Sequence, residues 1–279
     1  MFRWYGAAGL FMVLFAQVNF ILRIQPFAQW YFPIIWFGYI MLVDALVYSM
    51  SRESLITGKP RIFLLMIGLS AVVWWAFEAI GWFLGNWYYS GTDGFGSRLE
   101  SLAFATISFS TVIPAVFETA LLLKTVHLFD GVKLKERHNI SKNLLYGMMF
   151  AGALMFAAPL LYPGLFYPLI WASFFLIMDP INYMNRRPSI ISHLKDRKLA
   201  VPLSIYAGAT LTGFLWEFWN FWAIPKWHYT IPFVDFLRVF EMPLLGYLGY
   251  GPFGLELFAM YHFFMWLIHE GKAGTKLFK

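Results

Sequence analysis

The sequence predicts an all-α integral membrane protein. Eight transmembrane helices are expected, as two tandem four-helix repeats related by a pseudo-two-fold axis along the membrane normal. Three observations carry this. Of 279 residues, 60% are hydrophobic, 21% aromatic and only 13% charged, whereas a soluble domain carries about 25% charged residues. Apolar segments of spanning length recur along the chain. The two halves also share a pattern at fixed spacing: Pro33-x-x-Trp36, Asp44, Tyr48 and Arg52 return as Pro168-x-x-Trp171, Asp179, Tyr183 and Arg187.

The apolar segments fall at about 5–25, 31–51, 62–85, 99–125, 144–162, 164–185, 200–224 and 238–268. Arg3 followed by the run from Gly6 to Leu22 has the flavour of a signal peptide. The run is long for that, and no small-x-small cleavage site follows, so it reads as an uncleaved first helix. The last segment is too long for one plain span. Gly246, Gly249, Gly251, Pro252 and Gly254 predict a broken or re-entrant helix, which needs protein or a cavity around it.

Every Lys and Arg except Arg23, Arg98, Lys226 and Arg238 falls before the first segment or after an even-numbered one. The positive-inside rule then puts both termini in the cytoplasm, in a bacterial-type inner or plasma membrane. Four helices per repeat is an even number, so both halves enter the membrane in the same sense. The expected units are 1–130 and 144–279, joined by a cytoplasmic linker at 131–143. The net charge of +6 is a topology signal of the loops, with no nucleic acid implied.

The chain has no cysteine, which excludes disulfides, thiolate chemistry and Cys-ligated metals. His127, His138, His193 and His269 fall in loops or at a helix end, and only His262 and His228 are placed to ligate haem. No metal and no cofactor is expected. A membrane lipid or a lipid-soluble small molecule is the expected partner.

The repeated pattern continues into the acids. Phe77-Glu78 matches Trp216-Glu217, Trp87-Tyr88-Tyr89 matches Trp227-His228-Tyr229, and Pro114-x-x-x-Glu118 matches Pro252-x-x-x-Glu256. A carboxylate inside an apolar span is costly and is a functional candidate by default. At about 1.5 Å per residue the acids sort into two depths. Glu78, Glu100, Glu217 and Glu241 lie in the outer half, and Asp44, Asp179, Glu118 and Glu256 in the cytoplasmic half. Glu217, Glu78, Glu241 and Glu256 are the candidate acids and bases, with Asp44, Asp179 and Glu118 as a second carboxylate layer. Trp216, Trp219, Asn220, Trp227, Tyr229 and Trp75 are the candidate walls of an apolar pocket, able to hold a carbocation by cation–π attraction. A purely structural reading stands beside each. Trp and Tyr donors near Glu78 and Glu217 can simply tie helices together. Asp44 can pair with Arg52 and Asp179 with Arg187, while Glu100 can pair with Arg98 and Glu241 with Arg238.

Two resemblances bear on chemistry. Trp216-Glu217-Phe218 resembles the Trp-Glu motif of integral-membrane meroterpenoid cyclases. Trp227-x-Tyr229, then Glu241, then Pro252-x-x-x-Glu256, is similar to the lycopene cyclase-type membrane domain, which also occurs as tandem repeats. Both imply acid-initiated cyclisation inside a bilayer. They place a proton donor at Glu217 and a second acid at Glu241 or Glu256, with Glu78 and Glu118 as repeat equivalents. The chain departs from the lycopene cyclase pattern by lacking its adjacent Glu-Glu pair after proline.

The expected function is therefore a membrane enzyme using carboxylic acid/base chemistry on an isoprenoid or other lipid-soluble substrate. A proton-coupled transporter of a small molecule and a non-catalytic assembly subunit are the alternatives. Where the copies differ, the second has Asn220 near the place of Gly81 and His228 in place of Tyr88, so the second half is the expected site of chemistry.

Overall fold

A computed structural model describes residues 2–136, 139–268 and 277–278. The protein is mostly helical. In chain order it contains α1 (Trp4–Leu22), α2 (Tyr31–Ser51), α3 (Leu55–Gly58), α4 (Pro60–Leu84), β1 (Trp87–Ser90), α5 (Arg98–Phe109), α6 (Val112–Thr125), α7 (Lys142–Leu161), α8 (Pro163–Phe166), α9 (Ile170–Met184), α10 (Ile190–Lys195), α11 (Ala200–Trp222), β2 (Lys226–Tyr229), β3 (Arg238–Val239), β4 (Met242–Pro243) and α12 (Tyr250–Ile268).

Six stretches among the described residues are long and apolar enough to cross a membrane: α1, α2, α4, α5 with α6, α7, and α8 with α9. The segments behind the other two expected spans form α11 and α12. Glu217, Asn220 and a cluster of tryptophans lower the mean hydropathy of α11. Glu256, His262 and a Tyr-Gly-Pro start do the same for α12. The expected single helix at 99–125 is interrupted at Ser110 and Thr111. The expected break before the last helix is present, as a 3-10 stretch over Leu244–Gly249 that leads into α12.

Helix contacts recur between the halves. α1 packs on α2 as α7 packs on α9, and α2 on α6 as α9 on α12. α4 packs on α6 as α11 packs on α12. Across the halves, α11 packs on α6 and α4 touches α12. The core aromatics echo this. Trp36 meets Trp216 with ring centroids 5.5 Å apart, and its counterpart Trp171 stacks on Phe77 at 5.3 Å. Each tryptophan comes from one half and its partner from the other.

The ends of α4 and α11 place the strands. α4 stops at Gly85, whose left-handed backbone (φ 67°) closes the last turn as its N–H donates a hydrogen bond to the Gly81 carbonyl. α11 ends at Ala223, two residues before Pro225. The chains leaving both helices pair antiparallel: Trp87 opposite Tyr229, Tyr88 opposite His228, Tyr89 opposite Trp227, and Ser90 opposite Lys226. Tyr88 and His228, counterparts in the repeated pattern, thus sit at the centre of the β1–β2 ribbon.

At the opposite end, two buried aspartates hold short helices. Asp179 in α9 accepts the main-chain amides of Ile190 (2.8 Å) and Ile191 (2.9 Å), capping α10. Asp44 in α2 accepts the Ile56 amide at 2.9 Å at the start of α3, and the Tyr5 hydroxyl at 2.5 Å. Ser54 and Ser189 occupy the N-cap positions themselves. The expected rim pairs with Arg52 and Arg187 are replaced by these bonds, because a buried amide offers the aspartates a nearer donor. The start of the linker is tied down as well: Arg197 donates from Nε to the Leu134 carbonyl at 2.8 Å, and Leu199 from its amide to Val132. Linker residues 137 and 138, and Lys272, Lys276 and Lys279 at the C-terminus, lie outside the described residues.

Asp179→Ala leaves two amides facing a buried gap and is expected to cost about 2 kcal/mol. Asp179→Asn, which keeps one acceptor, costs about half as much. Thermal unfolding in detergent reads both.

Candidate functional site

The ribbon's pleat decides what each side chain faces. Alternate residues of a strand point to opposite sides, so Trp87, Tyr89, Trp227 and Tyr229 share the side turned towards the bundle. Beneath them sit the two repeat-related glutamates. Glu78 Oε1 accepts the Trp74 indole N–H (2.9 Å) and the Tyr89 hydroxyl (2.5 Å), and Oε2 accepts the Trp87 indole N–H at 3.2 Å. Glu217, fully buried in α11, accepts the Tyr229 hydroxyl at 2.8 Å and the Tyr250 hydroxyl on Oε1. Its Oε2 is buried with no hydrogen-bond partner among the described residues. Tyr229 also receives the Trp227 indole N–H at 2.9 Å.

The two halves reach similar ends by different means. In the first, the Trp87 ring fills the space a Cβ at Gly81 would need, only 2.0 Å away. In the second, Asn220 clamps the main chain of Trp227 from both sides, donating to its carbonyl and accepting from its amide, each at 2.9 Å. Tyr250 in turn lies over Gly213, its ring 2.2 Å from where a Cβ would stand.

Beside this pair lies a cavity of about 1000 Å³, at the upper end of the range that holds small ligands. Seven tryptophans and four tyrosines line it. Trp75, Trp216, Trp227 and Tyr229 are among them, as expected; Trp219 and Asn220 are not. Trp219 instead packs on Trp36 (4.7 Å) and Tyr39 (5.8 Å) in the core. Glu78 is the one charged residue among the described wall residues. Glu217 stands one layer back, reached through the Tyr229 and Tyr250 hydroxyls. The wall runs out to Trp82 and Leu248, which are 89% and 68% exposed, so the apolar lining is continuous with the outside of the bundle. The second half was the expected seat of chemistry, yet the acid on the wall belongs to the first.

The remaining acids sit elsewhere. Glu256 in α12 is fully buried and accepts the Phe174 amide of α9 at 2.9 Å, a helix-to-helix tie. Glu118 is buried within electrostatic range of Asp44 at the opposite end of the bundle. Glu100 accepts the Gly96 amide (2.9 Å) and the Trp30 indole (3.3 Å), while Ser97 caps its own amide at 3.1 Å. These bonds take the place of the expected pair with Arg98. Glu241, in the turn between β3 and β4, pairs with Lys226 at 2.6 Å and His228 at 3.1 Å. The expected partner Arg238 is farther off at 4.0 Å, because it is engaged by Asp235 at 2.5 Å.

His262 is buried against Phe258 and Tyr261, and His127 is 2.5 Å from Asp130. His138 and His269 lie outside the described residues. Among the described residues no three metal-ligating side chains converge.

Sequence reasoning passed over Tyr250 and Trp171. Trp171 carried a signal, since it belongs to the repeated Pro-x-x-Trp. Tyr250 carried none: it reaches Glu217 across 33 residues. The chain matches no known family model, and no characterised protein or solved structure shows detectable similarity to it.

Burial raises the Glu241 carboxyl's proton affinity, but the Lys226 ammonium and the His228 ring outweigh it and hold the group below the ordinary carboxylate range. A depressed folded-state value adds stability above the unfolded value of about 4.3, and this is lost as pH falls through the folded value. The thermal midpoint should therefore drop more steeply below about pH 4.5 in the native chain than in Glu241→Gln. Parallel curves would contradict the pairing.

Proposed function

We propose that this chain is a membrane-embedded enzyme acting on an isoprenoid or other lipid-soluble substrate by carboxylic acid/base chemistry, in the manner of a cyclase or isomerase. One observation carries the reading: a large aromatic cavity with a single carboxylate, Glu78, on its wall. Apolar surface accepts a polyene or prenyl chain by burial alone. Indole and phenol faces attract positive charge as it develops on carbon. Glu78 is the group positioned to exchange a proton with the substrate or to face a cationic carbon. Glu217 acts through Tyr229 and Tyr250, wall residues whose hydroxyl hydrogen bonds it accepts, as a positioning group and proton reservoir. The resemblance of Trp216-Glu217-Phe218 and Trp227-x-Tyr229 to membrane cyclase motifs supports the same class.

The proposed architecture is eight spans from a duplicated four-helix unit, with the pseudo-two-fold axis along the membrane normal and both termini cytoplasmic. The recurring helix pairs, the reciprocal Trp36 and Trp171 contacts and the centred β1–β2 register support the duplication. Lys and Arg placement supports the orientation. On this topology the ribbon and cavity lie towards the non-cytoplasmic face.

Expression in hosts that accumulate polyprenes or carotenoids, followed by mass analysis of lipid extracts, tests the proposal. A new product is expected in at least one background. Glu78→Gln is expected to lower its yield by about 10²–10³-fold, and Glu217→Gln by less. Extracts unchanged across several precursor backgrounds, combined with pH-dependent flux in proteoliposomes, would instead favour proton-coupled transport.

A further inference from the structure

The far side of the ribbon carries a second constellation. Tyr88, Ser90, Lys226 and His228 share the face turned away from the cavity, by the same alternation that turns the aromatics inward. Ser90 Oγ lies 2.9 Å from His228 Nε2. His228 Nδ1 lies 3.1 Å from Glu241 Oε2. Ser90 from the first half and His228 and Glu241 from the second thus meet in the order hydroxyl, imidazole, carboxylate. We propose that Ser90, His228 and Glu241 form a nucleophilic hydrolase site for carboxylic esters at the ribbon end of the bundle.

The surroundings fit each role. Glu241 is fixed from its other oxygen by Lys226 at 2.6 Å, and its side chain is only 12% exposed. An anchored carboxylate at Nδ1 selects the tautomer with the proton there, which leaves Nε2 free to accept from Ser90. Tyr88 stacks on the imidazole, with centroids 5.1 Å apart and planes 23° apart, and fixes its orientation. Ser90 closes β1, and Gly91 after it is left-handed (φ 74°), turning the chain away beyond the hydroxyl. A cleft of about 520 Å³ opens beside His228, with Tyr88, Thr230 and Arg238 on its wall. Arg238 on that wall is held by Asp235 at 2.5 Å.

The chemistry balances with water alone. Ser90 Oγ bonds to the acyl carbon as its proton passes to His228 Nε2, and the carbonyl electron pair moves onto oxygen. The tetrahedral adduct then expels the alcohol, which takes that proton. Water attacks the acyl-Ser90 ester, His228 accepts the water's proton and returns it to Oγ, and a carboxylic acid leaves. None of these residues lines the aromatic cavity, so the site stands or falls apart from the proposed cyclase chemistry.

The test is covalent labelling of the full chain in detergent micelles with a fluorophosphonate. One adduct is expected, mapped by peptide mass spectrometry to Ser90. Ser90→Ala should lose it, and His228→Gln should slow it by about 10²-fold or more. Turnover of p-nitrophenyl butyrate or of phosphatidylcholine vesicles is also expected, and which of the two is cleaved tells a soluble ester from a lipid one. An unlabelled native chain overturns the proposal without any appeal to a variant's folding. So does a label that persists in Ser90→Ala.

Discussion

The antiparallel pairing of β1 with β2 is the constraint on which the rest depends. The two strands are the counterparts of each other in the repeated pattern, and they pair with Tyr88 opposite His228 at the centre. A slip of one residue would turn every side chain over. In the observed register, Trp87, Tyr89, Trp227 and Tyr229 all face the bundle, where Glu78 accepts from Trp87 and Tyr89, Glu217 accepts from Tyr229, and Trp227 donates to the Tyr229 hydroxyl. The opposite face receives the polar set that gathers Glu241. One pairing choice therefore separates an apolar, aromatic surface from an ionic one across the thickness of a two-stranded ribbon.

The carboxylates divide along the same lines. At the cap end the two aspartates hold backbone: Asp44 and Asp179 each reach an amide at the start of a short helix. Glu256 ties α12 to α9. Those under the ribbon are held by indole N–H groups and by tyrosine hydroxyls, and of these the hydroxyls can share a proton. The distinction rests on donor type: a main-chain amide fixes a carboxylate, whereas a phenol can share its proton with one.

Much of this was legible in the sequence, and the limits have physical causes. Membrane character follows from composition, and six apolar helices follow from hydropathy. α11 and α12, also expected as spans, are less apolar because Glu217 and Asn220 in one and Glu256 and His262 in the other lower their hydropathy. The repeated letters flagged Glu78 and Glu217 with the correct aromatic partners nearby, since Trp87, Tyr89 and Tyr229 stand within about a dozen positions of the acids. Strand pairing was not legible, because β1 and β2 are four residues each and lie far apart in the chain. The caps at Asp44 and Asp179 hid for a related reason. Their donors are backbone amides, which no sequence pattern names. Glu241 looked like a catalytic acid in the cyclase pattern, but its turn delivers it to Lys226 and His228 on the other side of the ribbon.

The register is open to direct measurement, because the chain contains no cysteine. Directly opposed residues have Cβ atoms about 4.5–5.5 Å apart, close enough for a disulfide to form with little movement. Cysteines introduced together at Tyr88 and His228 should cross-link on mild oxidation and lock the ribbon. Cysteines at Tyr88 and Trp227, which face opposite sides, should not. An unlinked first pair, or equal linking in both, would contradict the pairing that places Glu78 and Glu217 beneath the aromatic face.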